Sequence, residues 1–228
     1  MSEPQNVLMQ GRMWHIDTGV GLLLSVSFPS QLGRFQILVS QADLALVEVH
    51  LENESAEHAV GWRSARLGSR SKSRRSASEG HTLDSNAWVQ VERPLVREQP
   101  GALGLSSEDT DLLQVVDQAV EQLVAYSQGR LREFSLPLKF TGTEFQNSVW
   151  KALLEVPYGQ TTTYGELAKR IGMPKGARAV GGALNRNPLG IVVPCHRVVG
   201  SDGAMVGFAG GIDVKKLLLE LELRGKVG

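Results

Sequence analysis

The residues best placed to do chemistry in this chain are consecutive. Pro194-Cys195-His196-Arg197 follows the apolar run Ile191-Val192-Val193 and sets the single thiol of the sequence beside an imidazole and a guanidinium. A lone cysteine is by default a small buried hydrophobe. Adjacent basic groups, however, lower a thiol pKa from its free value of about 8.5, and the thiolate is the nucleophile. A Cys-His pair is in addition a nucleophile with its base. Glu222, in the helical pattern from Val214 to Leu223, is a candidate to orient that base, although a glutamate on a helix is more often a solvated charge. One cysteine leaves no partner for an internal disulfide and no cysteine-based zinc cluster, so neither a metal nor a cofactor is expected.

The elements that must carry these residues fall into two halves. The first looks strand-rich, with short apolar runs at Leu22 to Phe28, Phe35 to Ser40 and Leu44 to Leu51, and a further one at Ala87 to Val91. Val47, Val49 and Leu51 alternate with Glu48 and His50, which predicts a half-buried strand. Between these runs, Trp62 to Arg75 holds Arg63, Arg66, Arg70, Lys72, Arg74 and Arg75 and no acidic residue, and reads first as a solvated loop that tolerates any composition and, as the alternative, as a basic segment able to lie along phosphates. Leu112, Val115, Val116, Ala119, Leu123 and Tyr126 fall at helical spacing from Asp111 to Gln128, with Ser106 and Ser107 as candidate caps before the helix and Gly129 closing it.

After Phe134 to Phe140 the pattern turns helical. Thr143 to Val156 is stopped by Pro157. Thr163-Tyr164-Gly165-Glu166 is a capping box that opens a helix to Ile171. Ala177 to Asn185 follows the Gly172 to Gly176 turn, which makes the pair a helix-turn-helix pattern. Its second helix is built of Ala177, Ala179, Gly181, Gly182 and Ala183, and two glycines there cost roughly 1 kcal/mol each relative to alanine. Either tight helix packing or the close approach of a nucleic-acid backbone, with Arg178 projecting, would account for that lack of bulk.

At 228 residues, 42% hydrophobic and 21% charged, the chain is expected to form two domains, 1–138 and 139–228, of a mixed α/β (α+β) fold. The overall net charge of zero conceals an asymmetry. Residues 139–228 carry 12 Lys+Arg against 7 Asp+Glu, and the remainder is acidic by the same margin, so a polyanion should meet the C-terminal half. The polar start Met1 to Val7 is unlike a secretory signal, and no apolar run nears the ~18 residues of a membrane span, so an intracellular protein is expected.

Pro194-Cys195-His196-Arg197-Val198, preceded by Arg178-Ala179-Val180-Gly181-Gly182-Ala183 and Asn187-Pro188 and followed by Gly210-Gly211, resembles the O6-alkylguanine-DNA alkyltransferase family over residues 139–228. The resemblance implies a ribonuclease-H-like N-terminal domain, a helix-turn-helix laid in the minor groove of double-stranded DNA, and irreversible transfer of an alkyl group from O6-alkylguanine, and also from O4-alkylthymine, to Cys195. It implies that His196 is the base, acting through a water, that Glu222 holds the imidazole, that Asn187 braces the turn, and that Tyr164 donates to the departing guanine. Ala177, Arg178, Ala179, Gly181 and Gly182 would face DNA, with Arg178 filling the gap left by a flipped nucleotide. Val198, Phe208 and Ala209 would line the pocket. Phe208 and Ala209 stand where many members have tyrosine and serine, so stabilisation of the leaving oxygen would fall to the backbone N–H of residue 209 and to Tyr164. A monomer is expected, with clustering along DNA left open.

Three other readings compete. A relative that senses damage without repairing it would lack the cysteine. A dimeric regulator would need side chains on the second helix to read base edges, and the glycines supply few. A cysteine hydrolase would need a Cys-His dyad assembled in space, which adjacent residues imitate poorly.

Overall fold

The computed structural model describes residues 9–15, 22–52, 89–91 and 109–226. The basic stretch from Trp62 to Arg75, the candidate caps Ser106 and Ser107 and the start Met1 to Val7 lie outside the described residues. Five strands, β1 (Met9–His15), β2 (Leu22–Ser30), β3 (Gly33–Ser40), β4 (Ala45–Glu52) and β5 (Val89–Val91), form one sheet in the order β4-β3-β2-β1-β5 with antiparallel neighbours throughout. Strand β1 is an element that the apolar pattern did not predict. The β4 alternation also misleads: Leu46, Val47, Glu48, Val49 and Leu51 are all buried, and Glu48 is tolerated there because it faces His50, with Nε2 and Oε2 2.8 Å apart.

Helix α1 (Thr110–Ser127) buries Leu112, Leu113, Val116, Ala119, Val120, Leu123 and Tyr126, the face that the 3.6-residue period requires, against β2, β3 and β4. It ends where Gly129, at φ 70°, turns the chain and donates to the Tyr126 carbonyl at 2.8 Å. The extended chain that follows closes the open edge of β4. Leu46 N–H donates to the Pro137 carbonyl at 2.8 Å and Lys139 N–H to the Leu46 carbonyl at 2.9 Å, so Leu138 lies paired beside Leu46. Further along the same edge, Val49 N–H donates to the Pro188 carbonyl at 2.8 Å. The change from strands to helices thus falls on a hydrogen-bonded seam, and buried residues from Leu24 to Leu218 form one contiguous apolar cluster across it.

Beyond the seam lie α2 (Glu144–Leu154), β6 (Thr162–Thr163), α3 (Tyr164–Arg170), α4 (Ala177–Leu184), β7 (Val198–Val199) and α5 (Ile212–Lys226), with β6 and β7 paired in parallel. Both α2 and α3 open on capping boxes. Thr143 accepts from Gln146 N–H at 3.3 Å, and Thr163 accepts from Glu166 N–H at 3.2 Å while Glu166 Oε2 accepts from Thr163 N–H at 3.0 Å. Among the described residues, no helix is long and apolar enough to cross a membrane.

Candidate active site

The strand-like run before the cysteine is a series of tight turns. Val192 N–H donates to the Gly190 carbonyl at 2.9 Å around Ile191, whose φ of 72° is rare for a β-branched residue and costs of order 1–3 kcal/mol. Cys195 N–H donates to the Val193 carbonyl at 2.8 Å around Pro194, and a single 3₁₀ turn, Cys195–Arg197, follows. Asn187, buried, holds this path in place: its Nδ2 donates to the Val193 carbonyl at 2.8 Å and its Oδ1 accepts from Leu189 N–H at 3.1 Å.

A 3₁₀ helix has three residues per turn, so consecutive side chains leave in different directions. This separates groups that the sequence sets side by side. Arg197 does not face the thiol: it donates to both oxygens of Glu222, to the Val156 carbonyl, and lies over the Tyr158 ring at 5.8 Å. The expectation of a thiol pKa lowered by neighbouring basic groups is therefore corrected. Burial pushes the Cys195 thiol up to about 11, outweighing the Asn187 amide hydrogen bond and the Lys215 charge that act in the opposite direction. At neutral pH the sulfur is a thiol and needs a base.

His196 is fully buried, with Nε2 2.8 Å from Glu222 Oε1 and Nδ1 without a hydrogen-bond partner. A carboxylate facing Nε2 favours the proton there and leaves Nδ1 with its lone pair, the basic tautomer. Burial lowers the His196 pKa against the opposing pull of Glu222, so the imidazole rests neutral. Glu222 lies fully buried at the centre of this arrangement. Its Oε1 accepts from Tyr126 Oη at 2.8 Å, from His196 Nε2 and from Arg197 Nη2 at 2.9 Å; its Oε2 accepts from Gly159 N–H at 2.9 Å and Arg197 Nε at 3.0 Å. Burial alone would raise its pKa, but the hydrogen bonds and charges of His196 and Arg197 reverse that and hold it at about 2.

Two polar residues of this region escaped the sequence reading. Tyr126 counted there only as one more position on the apolar face of α1. Lys215, fully buried on α5, donates to the Val198 carbonyl at 2.6 Å and the Val206 carbonyl at 2.7 Å, strapping the 198–206 loop across the site. Its one visible signal is a lysine beside Val214 and in step with Leu218 and Leu219 on the buried face of the helix.

The pocket residues gather around this loop. Val198 is buried and Phe208 and Ala209 are half-buried. Tyr164 sends its hydroxyl toward the Val206 and Gly207 carbonyls, at 3.0 and 3.2 Å, rather than into open space. Gly207 is required here on two counts: its φ is 53°, and a Cβ would lie 2.9 Å from the Tyr164 oxygen.

Helix α4 presents the opposite character. Val180, Ala183 and Leu184 are buried, and Trp150 Nε1 fixes the helix by donating to the Ala183 carbonyl at 3.0 Å. Arg178 and Ala179 are exposed, Ala177 is half-buried, and Arg178 makes no hydrogen bond or ion pair with any described residue. A Cβ on Gly181 would meet the Tyr164 ring at 3.6 Å and one on Gly182 would meet Arg186 Nη1 at 3.5 Å, both ordinary contacts. Packing within the protein does not demand glycine at either position.

Fold and site together define a mixed α/β protein whose helix-turn-helix half encloses a buried cysteine, Cys195, followed in the same 3₁₀ turn by a histidine hydrogen-bonded to a buried glutamate. The 6-O-methylguanine DNA methyltransferase DNA-binding domain matches residues 144–224. Over 105 residues the chain is 58% identical to the methylated-DNA–protein-cysteine methyltransferase of Methanosarcina acetivorans, a match covering 46% of this chain and 67% of that one. The enzyme of the same name from Mycobacterium leprae is 55% identical over 105 residues, 46% of this chain and 64% of that one. In structure, the chain is similar to the Mycobacterium tuberculosis OGT solved in complex with DNA, with 34% identity, a TM-score of 0.58, and coverage of 87% of this chain and 92% of that one. The chain belongs to the O6-methylguanine-DNA methyltransferase family.

Proposed function

We propose that this protein repairs DNA by taking an alkyl group from the O6 oxygen of guanine onto Cys195, once per molecule. In this reading the thiol proton passes through a water to His196 Nδ1, the sulfur attacks the alkyl carbon, the carbon–O6 bond breaks as the sulfur–carbon bond forms, and the guanine leaves as an anion that takes up a proton. The buried Nδ1 without a partner is the observation that carries this reading. A thiol raised to about 11 beside a neutral imidazole is the pairing a base-dependent attack needs. A thioether is chemically stable, which supports a single turnover.

Arg178, Ala177, Ala179, Gly181 and Gly182 form the DNA-facing surface in this proposal. The packing freedom at Gly181 and Gly182 favours the external explanation for their small size over the internal one, and Arg178, exposed and without a hydrogen bond or ion pair among the described residues, is placed to enter the stack. Tyr164 would have to exchange its loop carbonyls for the guanine, and the backbone N–H of Ala209, which bonds to no described residue, is available to the leaving oxygen.

A duplex carrying radiolabelled O6-methylguanine tests the reading. Label should move to protein with a ceiling of one methyl per chain, and Cys195→Ser should take up none. Repeated turnover, or transfer by the serine variant, would overturn the mechanism.

A further inference from the structure

The N-terminal half brings a phenol hydroxyl to the buried His196–Glu222 pair. Tyr126, near the end of α1, is fully buried, and its hydroxyl donates to Glu222 Oε1 at 2.8 Å while its oxygen lies 3.4 Å from His196 Nε2. The ring is held by an edge-on contact with Tyr158, 6.2 Å between centroids, and a tilted one with Phe134 at 5.3 Å. The C-terminal turn of α1, closed by Gly129, thus places a phenol on the same carboxylate oxygen that orients the base.

We propose that Tyr126 is a positioning residue for alkyl transfer, a hydroxyl supplied by the strand-rich half that fixes Glu222 and with it the orientation and tautomer of His196. The proposal rests on the functional reading above. Since the phenol proton is committed to Glu222, the oxygen turns lone-pair density toward His196 Nε2, and only an Nε2–H is welcome there. That keeps the lone pair at Nδ1, the ring nitrogen that has no hydrogen-bond partner among the described residues. The same bond drains electron density from the carboxylate, which tempers its support of the imidazolium. The other groups facing the pair are Arg197 from the 3₁₀ turn, Tyr158 and the Gly159 N–H from the turn after α2, and Lys215 from α5. None of them replaces a donor on the Tyr126 side of Oε1.

Tyr126→Phe in the full chain removes the hydroxyl and keeps the ring contacts. Single-turnover transfer from a methylated duplex should fall about tenfold on its plateau, a part of what a positioned base contributes. The acid limb of the rate profile and the His196 imidazole titration, followed by NMR and assigned by its absence in His196→Gln, should both move up by about half a pH unit, because a carboxylate with one donor fewer holds the imidazolium more strongly. The melting temperature should stay within a few degrees of wild type. An unchanged plateau with unmoved titration overturns the proposal. So does a lower rate that comes with a lower melting temperature and no movement of the titration, which would make Tyr126 an anchor of the fold only. If the wild-type protein takes up no methyl, the functional reading fails by itself, and the NMR titration then decides whether Tyr126 governs His196.

Discussion

Helix α4 and the Cys195 turn meet opposite demands within one short stretch of chain. Around Cys195 the buried side chains of Asn187, Arg197, Lys215 and Glu222 are hydrogen-bonded, whereas His196 Nδ1 has no partner among the described residues and points to the chemistry. On α4 the informative features are the reverse: an arginine with no partner among the described residues, and glycines whose added Cβ would make only ordinary contacts with them. The comparison teaches that a reaction site is recognised by what its surroundings leave unsatisfied, and a binding face by what its own fold leaves unexplained. It also predicts that damage at the two places should separate chemistry from DNA engagement.

The largest separation should come from the centre of the buried chain. Glu222→Gln retains the shape but leaves Arg197 without its counter-ion and His196 without a charged partner. Single-turnover transfer should drop by about a hundredfold or more, and stability by about 3 kcal/mol, while the intact α4 face still binds duplex DNA in a mobility-shift assay. Parallel loss of DNA affinity in a folded variant would break the comparison.

Arg178→Ala should do the converse. If the arginine offsets a few kcal/mol of unstacking, repair within duplex DNA slows by tenfold or more, whereas reaction with a free O6-alkylated base, which needs no extrusion, stays near wild type. Equal losses on both substrates would assign Arg178 to the site or the fold.

Acidity probes the buried chain alone. The His196 pKa is depressed below 6.5 by burial, so the base is neutral at pH 7, and transfer should hold its plateau to below pH 6.5 before declining as the imidazole takes up a proton. For stability the sign follows from Glu222: its folded pKa of about 2 lies below the ordinary 4.5, so its contribution is whole above pH 4.5 and is lost as pH falls toward 2. Urea midpoints measured across that window should fall with pH, and fall less steeply in Glu222→Gln.

The smallest effect sharpens the other side. Gly182→Ala should raise stability by up to about 1 kcal/mol in urea melts, since the Cβ has room and alanine favours the helix, yet weaken duplex binding. A gain in stability with undiminished affinity would show that no backbone approaches that face.

Much of this division is visible in the sequence. Cys195 and His196 carry their chemistry in their residue types, Glu222 is only a candidate of a kind that a helix more often solvates, Asn187 enters through the family resemblance, and the glycines of α4 declare a cost that must be offset. What stayed hidden depends on direction in space. Arg197 adjoins the cysteine in sequence, but the 3₁₀ turn sends it to Glu222, so the thiol is raised rather than lowered. Tyr126 and Lys215 occupy apolar positions of amphipathic helices, where periodicity counts them as core or as accidents, and only the folded chain shows their polar ends meeting Glu222 and the 198–206 loop. Strand β4 looked half-buried because Glu48 and His50 look solvated, a pattern undone by their pairing.

The central claim is that Cys195 itself accepts the alkyl group, and peptide mass spectrometry after incubation with an equimolar O6-methylguanine duplex tests it most directly. The account predicts that the peptide containing Cys195 gains the mass of one methyl group in step with the loss of methylguanine from the DNA. Loss of methylguanine with an unmodified Cys195 peptide would contradict it.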